Sequence, residues 1–246
     1  MKIPTPSYLK KLRDLGPHRP YLLWIAGDAG ILAQETVSII GTRSPSGTGL
    51  ANAKRLVAEL SSPVISGGAV GIDAEAHKSA IDTGLKTAAF MAGGVDKAYP
   101  QANWELFHEM VQAGGALISE VSPGTTPSRF RFLQRNRLIA AASSATFIVE
   151  AGYRSGTRNT ANHARVIGRE VFAVPGPWAF APARGANAMI AEGLARPYPL
   201  TSFPIELSMN QKRIQDAMRA GARFPDEIVA ESGLSLASVL EELKPA

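Results

Sequence analysis

Six short apolar runs, each ending at or just before glycine, proline or serine, constrain this chain more than any other feature. They are TVSII (36–40), PVISGG (63–68), TAAFMAGG (87–94), ALISEV (116–121), ATFIVEA (145–151) and EVFAVPG (170–176). Helix-length segments separate them. Leu50, Ala53, Val57 and Leu60 recur at helical spacing and make 48–61 an amphipathic helix. Further helices are predicted over 74–82, 102–114, 134–144, 158–168 and 185–193. Strands of this length alternating with helices build an α/β fold, a mostly parallel sheet covered on both faces. The loops at the carboxyl ends of such strands are where a doubly wound sheet takes its ligands.

The flanks read differently. Residues 1–35 hold a short helix, SYLKKLRDLG, and an apolar run, YLLWIAG, which should pack on the sheet edge. The Rossmann-like domain is placed at 36–203, with SFP (202–204) as a linker. Residues 207–246 read as three short helices with ESGLS as a turn, a helix-turn-helix spacing. That module carries five Lys or Arg against six Asp or Glu, and its last helix, SLASVLEELK, has two glutamates. An acidic helix is a poor match for a phosphate backbone, so the module is read as a packing or protein-contact element.

Charge is unevenly spread. Between Ser122 and Glu170 stand eight arginines and two acids, so this segment holds +6 in a chain whose net charge is +5. All eight cations are arginine, whose planar fork matches phosphate and stacks on flat rings. A local anionic partner fits this asymmetry; a solvated basic face is the plainer reading. Cysteine is absent, which removes disulfides and thiolate chemistry and fits a reducing cytoplasm. No apolar run reaches 18 residues, so no membrane association is expected.

Several loops have anion-binding character. GTRSPSGTG (41–49) follows a strand and opens a helix, where exposed N–H groups and the helix dipole favour an anion. Gly41 allows close approach, Thr42 and Ser46 offer hydroxyls, and Arg43 adds a permanent cation. The same loop also reads as a plain helix cap on Ser46 or Thr48. It lacks the P-loop lysine, which argues against ATP hydrolysis. In SGGAVGID (66–73), Gly67, Gly68 and Gly71 permit a turn against the sheet, and Asp73 sits at a helix start as a capping carboxylate. His77, one turn on, has no metal-spaced partner. In VEAGYRSGTRNTANHA (149–164), Ser155, Gly156 and Thr157 stand at a helix N-terminus suited to phosphate. Glu150 either accepts from a ribose or base, or bonds nearby loop amides.

RFRFLQRNR (129–137) packs four arginines and two phenylalanines into nine positions. With its first residues extended, Phe130 and Phe132 share one side and Arg129 and Arg131 the other. Arginines for a backbone and rings for bases are the parts of a single-strand binder. The plainer reading puts both phenylalanines in the core and makes Asn136 a loop cap, and for Phe130 it is the favoured one.

In order and spacing, IIGTRSPSGTG, VISGGAVGIDAEAH, AGGVDKAYP, LISEVSPGTTPSRFRFLQRNRLIAA, VEAGYRSGTRNTANHA, and REVFAVPG followed by GANAMIAEG resemble the DprA (Smf) family of DNA-processing proteins. The resemblance covers roughly residues 5–200. It implies an extended Rossmann-like fold that binds single-stranded DNA in a basic pocket, usually as a homodimer. It also implies protection of incoming strands in natural transformation and help in loading a RecA-type recombinase, with no enzymatic reaction and no cofactor or metal. By motif, Arg43 with its neighbouring hydroxyls and the backbone of Gly67 and Gly68 would contact phosphate. Phe132, Arg135, Asn136 and Arg137 would form the opposite wall, so the resemblance divides RFRFLQRNR: Arg131, Phe132, Arg135, Asn136 and Arg137 are assigned to the pocket, and Phe130 and Leu133 to the core. Two modules common in the family are not expected in this sequence: an N-terminal helical domain, and the wing of a C-terminal winged helix.

Two other readings stay open. A phosphoribohydrolase-like enzyme would also place glycine-threonine loops such as SGTRNTA at strand ends; against it, the glycine-rich run that such enzymes carry before their catalytic glutamate is absent, and Glu150 lies before the loop instead. A regulatory reading has the C-terminal helices dock a partner while the sheet domain scaffolds.

Overall fold

The computed structural model describes residues 2–4, 10–97, 99–177, 179–198, 213, 217 and 225–242. The chain divides into two compact units, Met1–Tyr198 and Pro199–Ala246. In the first, nine strands form one sheet: β1 (Lys2–Pro4), β2 (Leu22–Gly27), β3 (Val37–Ile40), β4 (Val64–Ser66), β5 (Thr87–Phe90), β6 (Ala116–Ser119), β7 (Ala145–Ile148), β8 (Glu170–Ala173) and β9 (Arg196–Pro197). Their order is β1-β2-β6-β5-β4-β3-β7-β8-β9. The run from β6 to β9 is parallel, while β1 and β2 are antiparallel additions on the β6 edge. YLLWIAG therefore supplies a true strand, paired so that Trp24 faces Ser119 and Gly27 faces Ala116.

Six helices cover the sheet: α1 (Gly47–Ala58), α2 (Ile72–Asp82), α3 (Trp104–Gln112), α4 (Arg129–Ala142), α5 (Gly156–Val166) and α6 (Arg184–Ala191). Strand residues alternate between the two faces, as the pleat requires. Ile40, Ile148 and Ala173 pack with residues of α4, α5 and α6. Their neighbours Ile39, Phe147 and Val149 pack with α1 and α2, and Ala89, Met91 and Leu117 pack with α3. Each wholly buried Ile, Leu or Phe contributes about 1.5–3 kcal/mol. A 3₁₀ segment, Lys10–His18, buries Leu12 and Leu15 into the α4–α6 layer.

The chain adds β4, β5 and β6 on one side of β3, then crosses to lay β7, β8 and β9 on the other. That reversal is a topological switch point, where the loops after β3 and β7 part and leave a crevice. Helix α4 makes the crossing.

Two expectations need correction. The extended start assigned to RFRFLQRNR is helical from Arg129, because Ser128 caps the helix: its backbone is extended and its hydroxyl accepts from Arg131 N at 3.4 Å. Helical phase then turns Phe130 and Leu133 outward. They are 72% and 43% exposed, not core residues, and Leu138 and Ile139 carry the packing instead. Asp73 also differs from its expected role. The residue capping α2 is Gly71 with no side-chain bond, and Asp73 reaches back to accept from Gly67 N at 3.1 Å and Ala69 N at 3.4 Å.

In the second unit, Pro225–Ser232 and Leu236–Glu242 are helices, and Ala217, Ile228 and Val239 form a small core of their own. Gly233, at φ 65°, makes the turn between them. The helix expected over 210–221 falls almost wholly outside the described residues.

Candidate nucleic-acid interface

The crevice at the switch point is a groove of about 1140 Å³. Its walls come from the β3–α1 loop (Gly41, Thr42, Arg43), the first two turns of α4, and the loop and first turn entering α5. Both sides depend on glycine where backbones meet. A Cβ on Gly41 would lie 2.6 Å from Ile72 Cγ1. One on Gly67 would lie 2.7 Å from the Arg135 guanidinium, so that glycine is required for space, while Gly68 (φ 66°) supplies the turn.

Phe132 is the centre of the groove. The guanidinium carbon of Arg43 stands 5.0 Å from its ring centroid, that of Arg135 5.8 Å, and the Tyr99 ring 5.6 Å. Cations within about 6 Å of a ring face are held by its quadrupole. Arg43 is exposed, so this contact leaves its N–H groups open to solvent. Arg129 and Arg154 are also exposed on the groove lining. Arg158 lines it too, paired with Glu192 and set 5.9 Å from the Tyr153 ring.

Arg135 is different. It is 4% exposed, and its Nη1 donates to the carbonyls of Gly67 (2.7 Å) and Phe90. Burial pulls its pKa down to about 10 against the attraction of Asp73. Asp73 is buried as well, and desolvation raises its pKa although Arg135 and the loop amides oppose the rise. Beneath them His77 bonds Thr87 Oγ1 at 2.7 Å, and burial, then Arg135, lowers its pKa to about 3. This cluster ties the ends of β4 and β5 to α4 and sets the groove floor.

The other assigned residues divide. Thr42 lines the groove, and its Oγ1 accepts from Ser44 N at 3.2 Å. Ser46 is the α1 cap and is committed internally: its hydroxyl donates to Glu150 at 2.5 Å, its amide donates to the same carboxylate at 3.0 Å, and it accepts from Gly49 N. The α1 N-terminus thus already holds an anion, the buried Glu150, which resolves that residue in favour of loop amides. The Gly67 amide is taken by Asp73. Asn136 bonds Asn159 Oδ1 at 3.1 Å and so positions the start of α5. There Ser155, Gly156 and Thr157 line the groove, and Ser155 Oγ is buried without a hydrogen-bond partner among the described residues. Arg131 holds the preceding loop through Thr126 O at 2.7 Å and does not line the groove. Nor does Arg137, which faces the far side of α4 and forms a two-armed ion pair with Glu120 at 2.6–2.7 Å.

Sequence reasoning passed over Tyr99, Arg129, Tyr153 and Arg154, all on the groove lining. A signal existed: in GYRSGT, Tyr153 and Arg154 repeat the pairing of ring and arginine that singled out RFRF.

Residues 1–203 match the family model for DNA recombination-mediator protein A. A DNA-processing protein DprA of Mycobacterium tuberculosis is 38% identical over 92% of this chain and 64% of its own length. The solved DprA of Streptococcus pneumoniae is 33% identical with a TM-score of 0.70, over 78% of this chain and 67% of that one. DNA processing protein A of Helicobacter pylori, solved for its single-stranded DNA binding mode, is 28% identical with a TM-score of 0.71, over 80% and 90%. The chain spans 64% of the length of its Mycobacterium tuberculosis relative. Among the described residues no helix is long and apolar enough to cross a membrane.

Proposed function

The chain belongs to the DNA recombination-mediator protein A family, and on that premise we propose that it binds single-stranded DNA in the groove around Phe132. One observation carries the reading: an aromatic ring held between an exposed arginine and a tyrosine, in a groove with further arginines at its rim. Rings take bases without regard to sequence, and arginines follow the backbone. The Helicobacter pylori relative, with its single-stranded DNA binding mode, supports the same ligand.

We propose further that the protein works as a homodimer in the cytoplasm, shielding single strands and helping to load a RecA-type recombinase, and that it turns over no substrate. The position of Glu150 supports a binding role. Its carboxylate is buried and saturated by Ser46, so it is not presented to a sugar or base.

The test is a polarisation titration with labelled oligo-dT and a matched duplex across a salt series. Tighter binding to the single strand, falling log-linearly with salt, is expected. Equal affinity for both, or no binding, would overturn the reading. Base released from nucleoside monophosphates above blank, and lost in Glu150→Gln, would move the protein to the phosphoribohydrolase class.

A further inference from the structure

We propose that the bound strand does not end at the groove but continues across α4 into a second cavity, where Tyr21 and Phe130 stack its bases. The inference rests on single-stranded DNA being the ligand of the groove. It begins from the second cavity, about 820 Å³, between α4, the start of β2 and the end of α5. Leu133 and Asn159 line both cavities, so the two share a rim on α4 and α5. A strand passing Asn136 in the groove meets the second cavity next.

The second cavity offers the two parts a strand needs. Tyr21 is 86% exposed and Phe130 72%, two rings facing solvent beside one concavity. Such rings take bases of any identity. The cavity's acids are already neutralised: Asp14 meets Arg169 at 2.5 Å, and Glu120 meets Arg137. Arg19 is exposed on the lining, so the charge left at the lip is positive. A protein contact would use the same rings together with the exposed Val166. Continuity with the groove and the Arg19 cation at the lip favour a strand.

Oligo length separates the two cavities. Labelled oligo-dT of about 6 nucleotides fills one site and about 18 spans both. The Tyr21→Ser, Phe130→Ser double variant should bind the longer oligo about tenfold more weakly, and the shorter one within about twofold of wild type. Phe130→Trp should retain the longer-oligo affinity. Both rings are exposed, so the double variant should melt with the wild type. Undiminished binding of the longer oligo overturns the path, as does equal loss on both lengths. A change in sedimentation without DNA also overturns it, since the patch is then a protein contact. Wild-type protein that binds neither length instead sinks the underlying ligand assignment, a result distinguishable from all of these.

Discussion

Arg135 and Arg137 stand two residues apart on α4, one beneath the groove and one on the far side, and they solve opposite problems. Under the groove, Arg135 is buried against two carbonyls, with Asp73 and His77 nearby and, among the described residues, no carboxylate in direct ion-pair contact. On the far side, Arg137 sits near the surface and both arms meet Glu120. Neither presents a free fork to a phosphate. The groove's exposed cations are Arg43, Arg129 and Arg154, which reach its rim from three different segments. A run of arginines therefore says that charge is needed nearby; helical phase and burial decide which of them meets a ligand.

The largest effect should come from breaking the buried side. Arg135→Met leaves two buried carbonyls without their donor, and a loss of about 1–3 kcal/mol per carbonyl is expected. Arg137→Met removes a pair closer to solvent and should cost clearly less. Urea midpoints at constant m-value measure both. Equal losses would erase the distinction between the two sides.

Next in size is the ring. Phe132→Ala removes the stacking platform and the partner of Arg43, so affinity for oligo-dT should fall by about 1–3 kcal/mol. Phe130→Ala should leave a short oligo nearly unaffected, because that ring faces away from the groove. A short-oligo loss at Phe130 equal to that at Phe132 would mean that α4 acts as a whole and its faces do not differ.

The six central parallel strands, their order of appearance and the edge where their glycine loops emerge were legible because each rests on local signals: apolar runs, glycine turns and helical spacing. TVSII and Val37–Ile40 agree almost to the residue. What was not legible depends on contacts distant in sequence. Ser46 looked available for phosphate because Glu150 lies 104 residues away. Phe130 looked buried because the cap on Ser128, and hence the helical phase, was missed. Arg135 looked like a phosphate ligand because nothing local reveals that it runs under Gly67 and Phe90.

Acid should weaken the buried side through His77. Its folded pKa is lowered to about 3, below its ordinary 6.5. Between those values the unfolded chain takes up a proton that the folded protein refuses, so stability falls as pH drops. Over the first unit below 6.5 the loss is about 1 kcal/mol, and it steepens toward about 1.4 kcal/mol per unit below that. Asp73 acts with the opposite sign, since its raised pKa favours the folded state toward acid. The decisive comparison is therefore His77→Gln against wild type, by thermal unfolding between pH 6.5 and 5.5. An unchanged slope in the variant would place the titrating group elsewhere.

The smallest effect is also the most specific, because it asks which arginine meets a phosphate. Each phosphate neutralised on a single strand adds about 0.7 to the slope of log affinity against log salt. Arg43→Ala should lower that slope by about 0.7 for a short oligo and weaken binding mainly at low salt. Arg137→Ala should leave the slope alone, because its fork is already spent on Glu120. Any loss it causes should track the fraction folded and vanish when binding is scaled to active protein. A reduced slope in Arg137→Ala would mean that Glu120 releases the arginine when DNA arrives. The far side of α4 would then belong to the groove, and burial in the free protein would be a poor guide to which cations serve the strand.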